Sequence, residues 1–375
     1  MEPQISNISE DDGLLKFTVT NVNVSVANSI RRCVISEIPT YGFRSVSHKE
    51  NDIHISKNTT RLNNEIIKQR VGCIPIHNIH KIENHKELHK ILQFEISKKN
   101  NSKNIEYLTT EDFKIKNTST DKYLSDDDRK KIFPPNSITG DYIIICRLRP
   151  KISEDIDGET LEFKATISLN TGNTNYMYNA SCTNFYNFTP DKVEQNKEWA
   201  SYSKKLKKDD KTSVNMENEK KNWYLHNGLR QYVENSFDFT LETVGVYTNV
   251  ELLKKACDVM VKKLENCSSK LDDDTFKIEK SKTTMENSFD IILMNEDYTL
   301  GKVIEYFMYN HYFEQNQILS YIGFRKNHPH DNFSILRLAF KKPINNISII
   351  KEYIKNMNSN AVATYKKIKE LFYSA

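Results

Sequence analysis

Cysteines and histidines cluster in one part of the sequence and could hold a metal ion. The segment "CIPIHNIH" contributes Cys73, His77 and His80, and "HKELH" places His85 and His89 about one helical turn apart. A structural zinc site needs about four nitrogen or sulfur ligands in a tetrahedron. Single motifs of this kind are weak indicators, so we favour ordinary surface and loop histidines, with metal binding left as the alternative.

Two further groups of residues could bind or react. The stretch "NYMYNASCTNFYNF" (175–188) could stack RNA bases on its tyrosines. No lysine or arginine lies within it, so a hydrophobic or sheet-edge role is favoured. The acids Asp126 to Asp128 stand beside lysines and are typical of a solvated turn. The sequence has no GxGxxG, GxxxxGK[ST], GxSxG or HExxH motif, and no nucleophile, base and orienting group can be assembled. We therefore expect no enzymatic activity from the chain by itself.

Two adjacent arginines, Arg31 and Arg32, lie in the short apolar segment "SVANSIRRCVI" (25–35). Its spacing predicts a helix with an apolar stripe of Val26, Ile30, Cys33 and Val34. On a helical wheel both arginines point away from that stripe. We therefore expect both to face something outside this packing layer.

Composition narrows the class of protein. The 375 residues include 54 basic and 50 acidic side chains, a net charge of +4, and no concentrated basic stripe typical of a nucleic-acid-binding protein. Six dispersed cysteines give no disulfide framework, which favours a reducing compartment. No apolar run reaches the roughly 18 residues that cross a bilayer, and the acidic N-terminus does not resemble a secretory signal. An intracellular, soluble protein is expected.

One pattern is written twice in the sequence. "TNVNVSVANSIRRCVI" (20–35) aligns with "MNEDYTLGKVIEYFMY" (294–309), and a strand-like run precedes each. Ser25 and Thr299 occupy equivalent positions and are good N-cap residues. Both helices lead to a Gly-Phe-Arg tripeptide, at 42–44 and 323–325.

Each copy is followed by a longer helix with one apolar face. The first carries Val250, Leu253, Cys257, Met260, Leu264 and Cys267, and the second carries Ile347, Ile350, Ile354, Met357, Ala361, Tyr365, Ile368 and Phe372. Such faces need a partner. The two halves of the chain can provide one for each other.

The sequence pattern in the middle of the chain differs from that of the two repeated segments. Residues 60–78 predict a helix that ends at Gly72 and leads into a strand, and 141–150 and 159–169 predict strands. Residues 119–140 predict a polar loop, and 194–222 a charged connector that is partly helical or disordered. The simplest fold class is α+β, with a core domain interrupted by a mainly β domain.

Several segments together resemble known RNA polymerase subunits. "SVANSIRRCVISEIPTYGF", "LNNEIIKQRVGCIPI", "IICRLRP" and "FDFTLETVG" resemble the third subunit of eukaryotic RNA polymerase II, the archaeal D subunit and, more distantly, bacterial alpha. "NEDYTLGKVIEYFM", "YIGFRKNHPH" and "LRLAF" resemble the eleventh subunit and archaeal L. A single chain that joins the two resembles the fused subunit of large DNA viruses.

The resemblance implies an architecture. Two alpha-subunit-like dimerisation modules would pair through their helices within one chain. The first module would comprise residues 1–47 and 226–270, interrupted by a mainly β insert at 48–225. A linker at 271–288 would lead to the second module at 289–375. Because a short tether raises the effective concentration to about millimolar, we expect a monomer before assembly and not a homodimer.

The resemblance also implies a function. The chain would be a non-catalytic platform of a DNA-directed RNA polymerase that holds the largest and second-largest subunits and binds small polymerase subunits, touching DNA and RNA only through the complex. It would act in the nucleus or a cytoplasmic viral factory and could be packaged in the virion. The alternative is a free-standing RNA-binding module that uses the aromatic stretch.

Residue roles are carried over from the family. Arg31, Arg32 and Asn28 would bind the second-largest subunit through charge-assisted contacts. Glu305 and Tyr306 replace the arginines in the second copy, so the two halves would dock different surfaces. The cysteine cluster for zinc or iron–sulfur found in many third subunits is absent, and no cofactor is expected. The dimerisation-type interface would comprise Val26, Ile30, Val34, Leu253, Cys257, Met260, Leu264, Leu300, Ile304, Phe307, Ile354, Met357, Ala361 and Tyr365.

Overall fold

The chain has a mixed α/β fold. The computed structural model describes residues 2–46, 49–79, 88–153, 156–208, 216–282 and 284–373. Two compact units are present: unit 1 comprises Met1–Val34, Thr183–Glu242 and Asn249–Ala375, and unit 2 comprises Ile35–Cys182 and Thr243–Thr248.

The helices of the described residues are α1 (Val24–Ser36), α2 (Asn64–Gly72), α3 (Leu88–Ile91), α4 (Asp126–Ile132), α5 (Lys192–Lys208), α6 (Met216–Leu225), α7 (Asn249–Asp272), α8 (Tyr298–Met308) and α9 (Ile347–Leu371). A π-helical turn, Tyr309–Gln315, continues α8.

The strands of the described residues are β1 (Gln4–Asp11), β2 (Leu14–Thr20), β3 (Thr40–Gly42), β4 (Ile53–Asn58), β5 (Leu92–Lys99), β6 (Glu106–Thr109), β7 (Lys114–Asn117), β8 (Lys122–Tyr123), β9 (Ile144–Leu148), β10 (Thr160–Ala165), β11 (Ser168–Asn170), β12 (Ser181–Pro190), β13 (Tyr232–Thr243), β14 (Ile278–Lys280), β15 (Ser288–Met294), β16 (Leu319–Arg325) and β17 (Phe333–Phe340).

Unit 1 contains two four-stranded sheets with the same strand order. One sheet runs β1-β2-β13-β12 and the other β14-β15-β17-β16. In each sheet the second strand precedes a short helix, α1 or α8, and the strand beside it precedes a long helix, α7 or α9. The central pairs β2–β13 and β15–β17 are both antiparallel. The two sheets and their helices therefore share one topology.

The strand-to-helix turn is built in the same way in both parts. Asn21 and Asn295 hold equivalent positions and both have φ of 58°. This left-handed conformation is tolerated by asparagine better than by most residues. It reverses the chain after β2 and after β15, so that each short helix can lie against its own sheet.

The long helices α7 and α9 pack against each other in antiparallel orientation. Lys369 Nζ lies 2.6 Å from Asp258 Oδ1, while Lys355 Nζ lies 2.7 Å from Asp272 Oδ1. Near the middle, Asn358 Nδ2 donates to the backbone oxygen of Leu264 over 3.4 Å. Most of the apolar stripes predicted for these helices are buried, with Met260, Leu264 and Ile354 at most 1% exposed, but Ile347 at the start of α9 is 43% exposed.

Unit 2 is built around a five-stranded sheet of order β4-β10-β5-β7-β8, with small sheets β6-β9 and β11-β3. Helix α2 packs against β9 and β4. A cluster of phenylalanines fills the interior, with Phe94, Phe113 and Phe163 each at most 2% exposed. Phe113 stacks on Phe133, with ring centroids 4.9 Å apart. Such aromatic pairs stabilise a core beyond the area they bury.

The compact units have other bounds than the predicted segments. Residues 183–225, predicted to belong to the insert, lie in unit 1 as most of β12 with α5 and α6. The predicted linker at 271–288 contains the end of α7 and strand β14, which pairs antiparallel with β15. A strand of only three residues, such as β14, is too short to show an alternating hydrophobic pattern in the sequence.

Three local predictions need correction. Residues 73–78 form no strand after α2. The polar loop at 119–140 contains β8 and helix α4, whose N-cap Ser125 accepts a hydrogen bond from the Asp128 amide over 3.2 Å. The Gly-Phe-Arg tripeptides are not equivalent, because Gly42 ends β3 of unit 2 whereas 323–325 lie in β16 of unit 1.

Candidate docking site for partner proteins

Helix α1 begins at a side-chain cap that the sequence indicated only indirectly. The amide of Ser25 donates to Asn23 Oδ1 over 2.9 Å. At the start of α8, the amide of Thr299 donates in the same way to Asp297 Oδ1 over 2.8 Å. The prediction that Ser25 and Thr299 cap these helices is therefore wrong. The caps lie two residues earlier, where the short side chains of Asn and Asp reach the first free amides.

Arg31 is half-buried on α1, and its side chain is held by its own helix. Its Nε and Nη2 donate to Asn28 Oδ1 over 3.0 and 2.9 Å. The backbone oxygen of Arg31 accepts from Asn184 Nδ2 of β12 over 2.9 Å. Of the five donors of a guanidinium, the remaining three are not used by these bonds. Arg31 is thus oriented before any partner arrives.

Arg32 has a different role from its neighbour. Its Nη2 lies 2.5 Å from Asp297 Oδ2 and its Nε donates to Thr299 Oγ1 over 2.7 Å. These partners are the N-cap residue of α8, Asp297, and a residue of its first turn, Thr299. The helical wheel of α1 contains no information about α8, so it could not predict this contact. The assignment of Arg32 to the second-largest subunit stays a prediction. Arg32 and Arg31 are not an equivalent pair.

Asp297 is the acidic counterpart of Arg32. Burial by itself would raise the pKa of the Asp297 carboxyl, but hydrogen bonds from Thr299 and the charge of Arg32 outweigh burial. The pKa of Asp297 consequently lies below its usual range. One carboxylate therefore serves both as the cap of α8 and as an ion-pair partner for α1.

A buried hydrogen bond joins α1 to α9. Ser29 Oγ and Tyr365 Oη lie 2.5 Å apart, and neither side chain is more than 1% exposed. All fourteen residues predicted for the dimerisation-type interface are buried in unit 1, namely Val26, Ile30, Val34, Leu253, Cys257, Met260, Leu264, Leu300, Ile304, Phe307, Ile354, Met357, Ala361 and Tyr365. Their assignment to an interface between two modules stays a prediction.

The second copy has other groups where the first has its arginines. Glu305 Oε2 lies 2.6 Å from Lys302 Nζ within α8. Tyr306 is half-buried beside Phe307, and burial raises the pKa of its phenol. These groups offer a neutral or acidic surface. The corresponding surface of α1 is cationic.

Comparison with known proteins places this geometry in a family. The RNA polymerase Rpb3/Rpb11 dimerisation domain matches residues 16–264, which is more than half of the chain. The chain belongs to this family. The match confirms the predicted resemblance to polymerase subunits of the third-subunit type. The resemblance of residues 289–375 to the eleventh subunit lies outside the matched range and stays a prediction.

Individual relatives agree with this family. DNA-directed RNA polymerase subunit Rpo3 of Methanosphaera stadtmanae is 25% identical over 280 residues, covering 68% of this chain and 94% of the relative. Subunit 3B of RNA polymerases IV and V from Arabidopsis thaliana is 28% identical over 48% of this chain and 55% of its own length. Subunit RPB3 of RNA polymerase II from Schizosaccharomyces pombe is 38% identical over 72 residues, 19% of this chain and 21% of its own. The chain thus spans about half of the former and about one fifth of the latter of these two relatives.

The cysteine and histidines weighed as an alternative metal site are described only in part. Cys73 is exposed, and His77 Nδ1 lies 2.9 Å from the Gly245 carbonyl oxygen, to which it donates. Burial lowers the pKa of His77, and this hydrogen bond offsets only part of that effect. His80 and His85 lie outside the described residues, as does the side chain of His89. Among the residues described, no group of three or more histidine, cysteine or acidic side chains could hold a metal ion.

The aromatic stretch at 175–188 is divided between the two units, with residues 175–182 in unit 2 and residues 183–188 in β12 of unit 1. Tyr178 is 1% exposed and its Oη lies 2.7 Å from Ser168 Oγ. Tyr186 packs against Phe237 and Phe239 of the neighbouring strand β13, with ring centroids 5.3 and 5.4 Å apart. Tyr178 and Tyr186 therefore serve packing, whereas Tyr176 is 53% exposed. Within the described residues no helix is both long and apolar enough to span a bilayer.

Sequence reasoning missed two residues that shape the site. Asp297 was aligned with Asn23 but given no role, although an Asn or Asp two residues before an apolar helix is a recognisable cap signal. Asn184 had no such signal, because its bond to Arg31 joins positions 153 residues apart in the chain. The first could have been found in the sequence and the second could not.

Proposed function

We propose that this chain is a non-catalytic assembly subunit of a multisubunit DNA-directed RNA polymerase, in which two alpha-like modules of one chain form an intramolecular pair. The family match and the relatives named as polymerase subunits support the polymerase role. The shared β-β-α-β-β-α order of the two parts of unit 1, with identical sheet order, supports the pair. The single observation that carries the pair is the antiparallel packing of α7 on α9.

The intramolecular pair predicts a monomer. Apolar faces that would otherwise need a second chain are covered within unit 1, where Met260 and Ile354 are at most 1% exposed. Light scattering of the purified chain should give the mass of one chain, 43.9 kDa, at all concentrations. A homodimer that persists on dilution would contradict the pair without excluding a polymerase role.

Partner capture is assigned to the cationic side of α1. Arg31, held by Asn28, presents oriented donors to a carboxylate or backbone oxygen of the second-largest subunit. Arg32 contributes indirectly, because its contact with Asp297 fixes α1 against α8. The largest subunit and small polymerase subunits would dock elsewhere on the platform, and nucleic acid would be touched only through the complex.

The test is co-expression of the full chain with the two large polymerase subunits, followed by affinity purification. The wild-type chain should retain both. Arg31→Ala should lower retention of the second-largest subunit, since removing one partner of an interfacial charge pair costs roughly 2–5 kcal/mol. The matched control is Arg230→Ala, which removes an exposed arginine of unit 1 outside α1. Equal retention by both variants would remove Arg31 from the interface, and no retention by the wild-type chain would overturn the platform.

A viral source and its compartment follow from the fused arrangement. A chain that joins a third-subunit-like and an eleventh-subunit-like module is the arrangement expected in large DNA viruses, which transcribe in the nucleus or in cytoplasmic factories and can package polymerase in the virion. Immunofluorescence in infected cells and mass spectrometry of purified particles would test this. A uniformly distributed signal unrelated to sites of transcription would count against it.

A further inference from the structure

A cleft in unit 2 is lined by four arginines. Its volume is about 620 Å³, within the range of small-ligand and peptide side-chain pockets. Arg61 lies before α2, Arg70 lies on α2, Arg147 lies on β9, and Arg149 follows β9. All four belong to unit 2. The docking site on α1 described above does not use any of them.

The charge of the cleft is only partly neutralised. Arg149 pairs with Glu159, since Nε donates to Oε1 over 2.6 Å and the Arg149 amide donates to Oε2 over 2.8 Å. This carboxylate is the acidic group of the lining. For the guanidinium groups of Arg61, Arg70 and Arg147, no carboxylate of the described residues lies within ion-pair distance. Three positive charges in the cleft are therefore available to an anionic ligand.

Two of these arginines are oriented by neutral contacts. Arg70 Nη2 donates to the backbone oxygen of Ile144 over 2.9 Å. The guanidinium of Arg147 lies over the ring of Tyr107, 5.6 Å from its centroid. A planar guanidinium held in this way keeps further N–H donors for a carboxylate or phosphate oxygen. The positions of the donors are thus set before a ligand binds.

Aliphatic side chains form the rest of the wall. Ile105 is 55% exposed, Ile144 is 45% exposed, and Leu62 is half-buried at the edge of the cleft. Exposed branched aliphatic groups beside unneutralised cations are suited to a ligand that brings both negative charge and apolar surface. A simple phosphate would leave this surface in water.

We propose that this cleft binds an acidic peptide segment of a partner protein, in which glutamates or aspartates flank a leucine-like side chain. The carboxylates would pair with Arg61, Arg70 and Arg147, and the aliphatic side chain would cover Ile105 and Ile144. A nucleic acid fits less well, because the lining has no aromatic ring for a base to stack on. The site goes beyond the proposed capture of the second-largest subunit, which is placed on α1 of unit 1.

The test is fluorescence polarisation with the full-length chain and a short fluorescein-labelled peptide in which two glutamates precede each leucine. Binding should weaken as salt rises. Arg61→Ala/Arg147→Ala should reduce affinity at least about tenfold. The matched control is Arg230→Ala/Arg325→Ala, which removes the same charge from exposed positions in unit 1 and should bind like wild type.

Further probes test which class of ligand the cleft binds. A peptide with glutamine in place of each glutamate should fail to bind, and one with serine in place of leucine should bind more weakly. Inorganic tripolyphosphate should compete poorly. The proposal is overturned if the labelled peptide does not bind, if the Arg61/Arg147 variant binds it unchanged, or if tripolyphosphate or single-stranded RNA binds more tightly than the peptide. Circular dichroism of both double variants would show that the fold is kept.

Discussion

Ser29 of α1 and Tyr365 of α9 share a hydrogen bond of 2.5 Å in the interior of unit 1. Ser29 Oγ also donates to the backbone oxygen of Val26 over 2.7 Å. Since a hydroxyl has one proton, Tyr365 is the donor of the shared bond. Burial raises the pKa of the Tyr365 phenol well above its usual value, which keeps that proton in place.

This arrangement predicts an asymmetry between two substitutions. Tyr365→Phe removes the donor but leaves Ser29 bonded to Val26, so the free energy of unfolding should fall by about 1 kcal/mol. Ser29→Ala leaves the tyrosine hydroxyl buried without its partner, which should cost about 1–3 kcal/mol. Urea unfolding followed by circular dichroism measures both.

A tyrosine elsewhere in unit 1 provides the control for this comparison. Tyr298 is 45% exposed, and its hydroxyl makes no hydrogen bond with the described residues. Tyr298→Phe should leave stability within about 0.5 kcal/mol of wild type. If Tyr365→Phe were more damaging than Ser29→Ala, the direction of the bond assigned above would be wrong.

The contact between Arg32 and Asp297 predicts a pH dependence. The pKa of Asp297 is lowered in the folded chain, so the carboxylate stabilises the fold above its unfolded pKa, about 3.9. This contribution is lost as the pH falls through the lower, folded pKa. Asp297→Asn keeps a capping side chain but removes the charge. It should therefore lose about 1 kcal/mol at pH 7 and show a smaller further loss on acidification than wild type.

A double-mutant cycle isolates the ion pair. Arg32→Gln, Asp297→Asn and the double variant should give a coupling free energy of about 0.5–1 kcal/mol at pH 7, modest because both side chains are about one third exposed. The coupling should shrink in high salt. Purely additive effects would mean that the two groups do not act together in solution.

The helices of unit 1 could be predicted from the sequence because their apolar stripes obey a local rule. Val26 and Ile30 of α1, and Leu300 and Ile304 of α8, lie at helical spacing, and each is buried as expected. The caps were misplaced by two residues because serine, threonine, asparagine and aspartate compete for the same position. Asn21 and Asn295, both with positive φ, lie just before the true caps and so mark where each helix starts. In the sequence, such an asparagine indicates the helix start only if a left-handed turn is already expected there.

Contacts between distant segments could not be predicted in this way. Arg32 and Asp297 are 265 residues apart in sequence, so no helical wheel can place them together. The arginine cleft of unit 2 likewise gathers Arg61, Arg70 and Arg147 from three separate elements. Composition showed nearly balanced charges and no basic stripe, because clustering arises only when these elements fold together.

The repeat contains one position that tests how closely the second copy is packed. Gly301 of α8 aligns with Ala27 of α1, and a Cβ at Gly301 would overlap the ring of Phe324. Although alanine favours a helix by about 1 kcal/mol over glycine, Gly301→Ala should destabilise the chain by about 1–3 kcal/mol through overpacking. Thermal unfolding of the variant measures the net effect.

A compensating substitution shows whether the ring is the cause. Phe324→Leu makes room beside α8, so adding it to Gly301→Ala should cost less than the sum of the two single changes. A stabilised Gly301→Ala variant would mean that Phe324 moves aside freely. Additive losses would locate the strain elsewhere.

The cysteines predict a labelling pattern in the native chain. Cys73 and Cys182 are exposed, whereas Cys33, Cys146, Cys257 and Cys267 are buried. Burial raises the pKa of the Cys257 and Cys267 thiols to about 12 and that of Cys146 to about 11, so almost no reactive thiolate forms at neutral pH. Iodoacetamide followed by peptide mass spectrometry should modify the two exposed cysteines alone, and all six after unfolding in urea. Rapid native labelling of Cys257 or Cys267 would show that α7 and α9 separate, because both thiols are at most 1% exposed while the helices are packed.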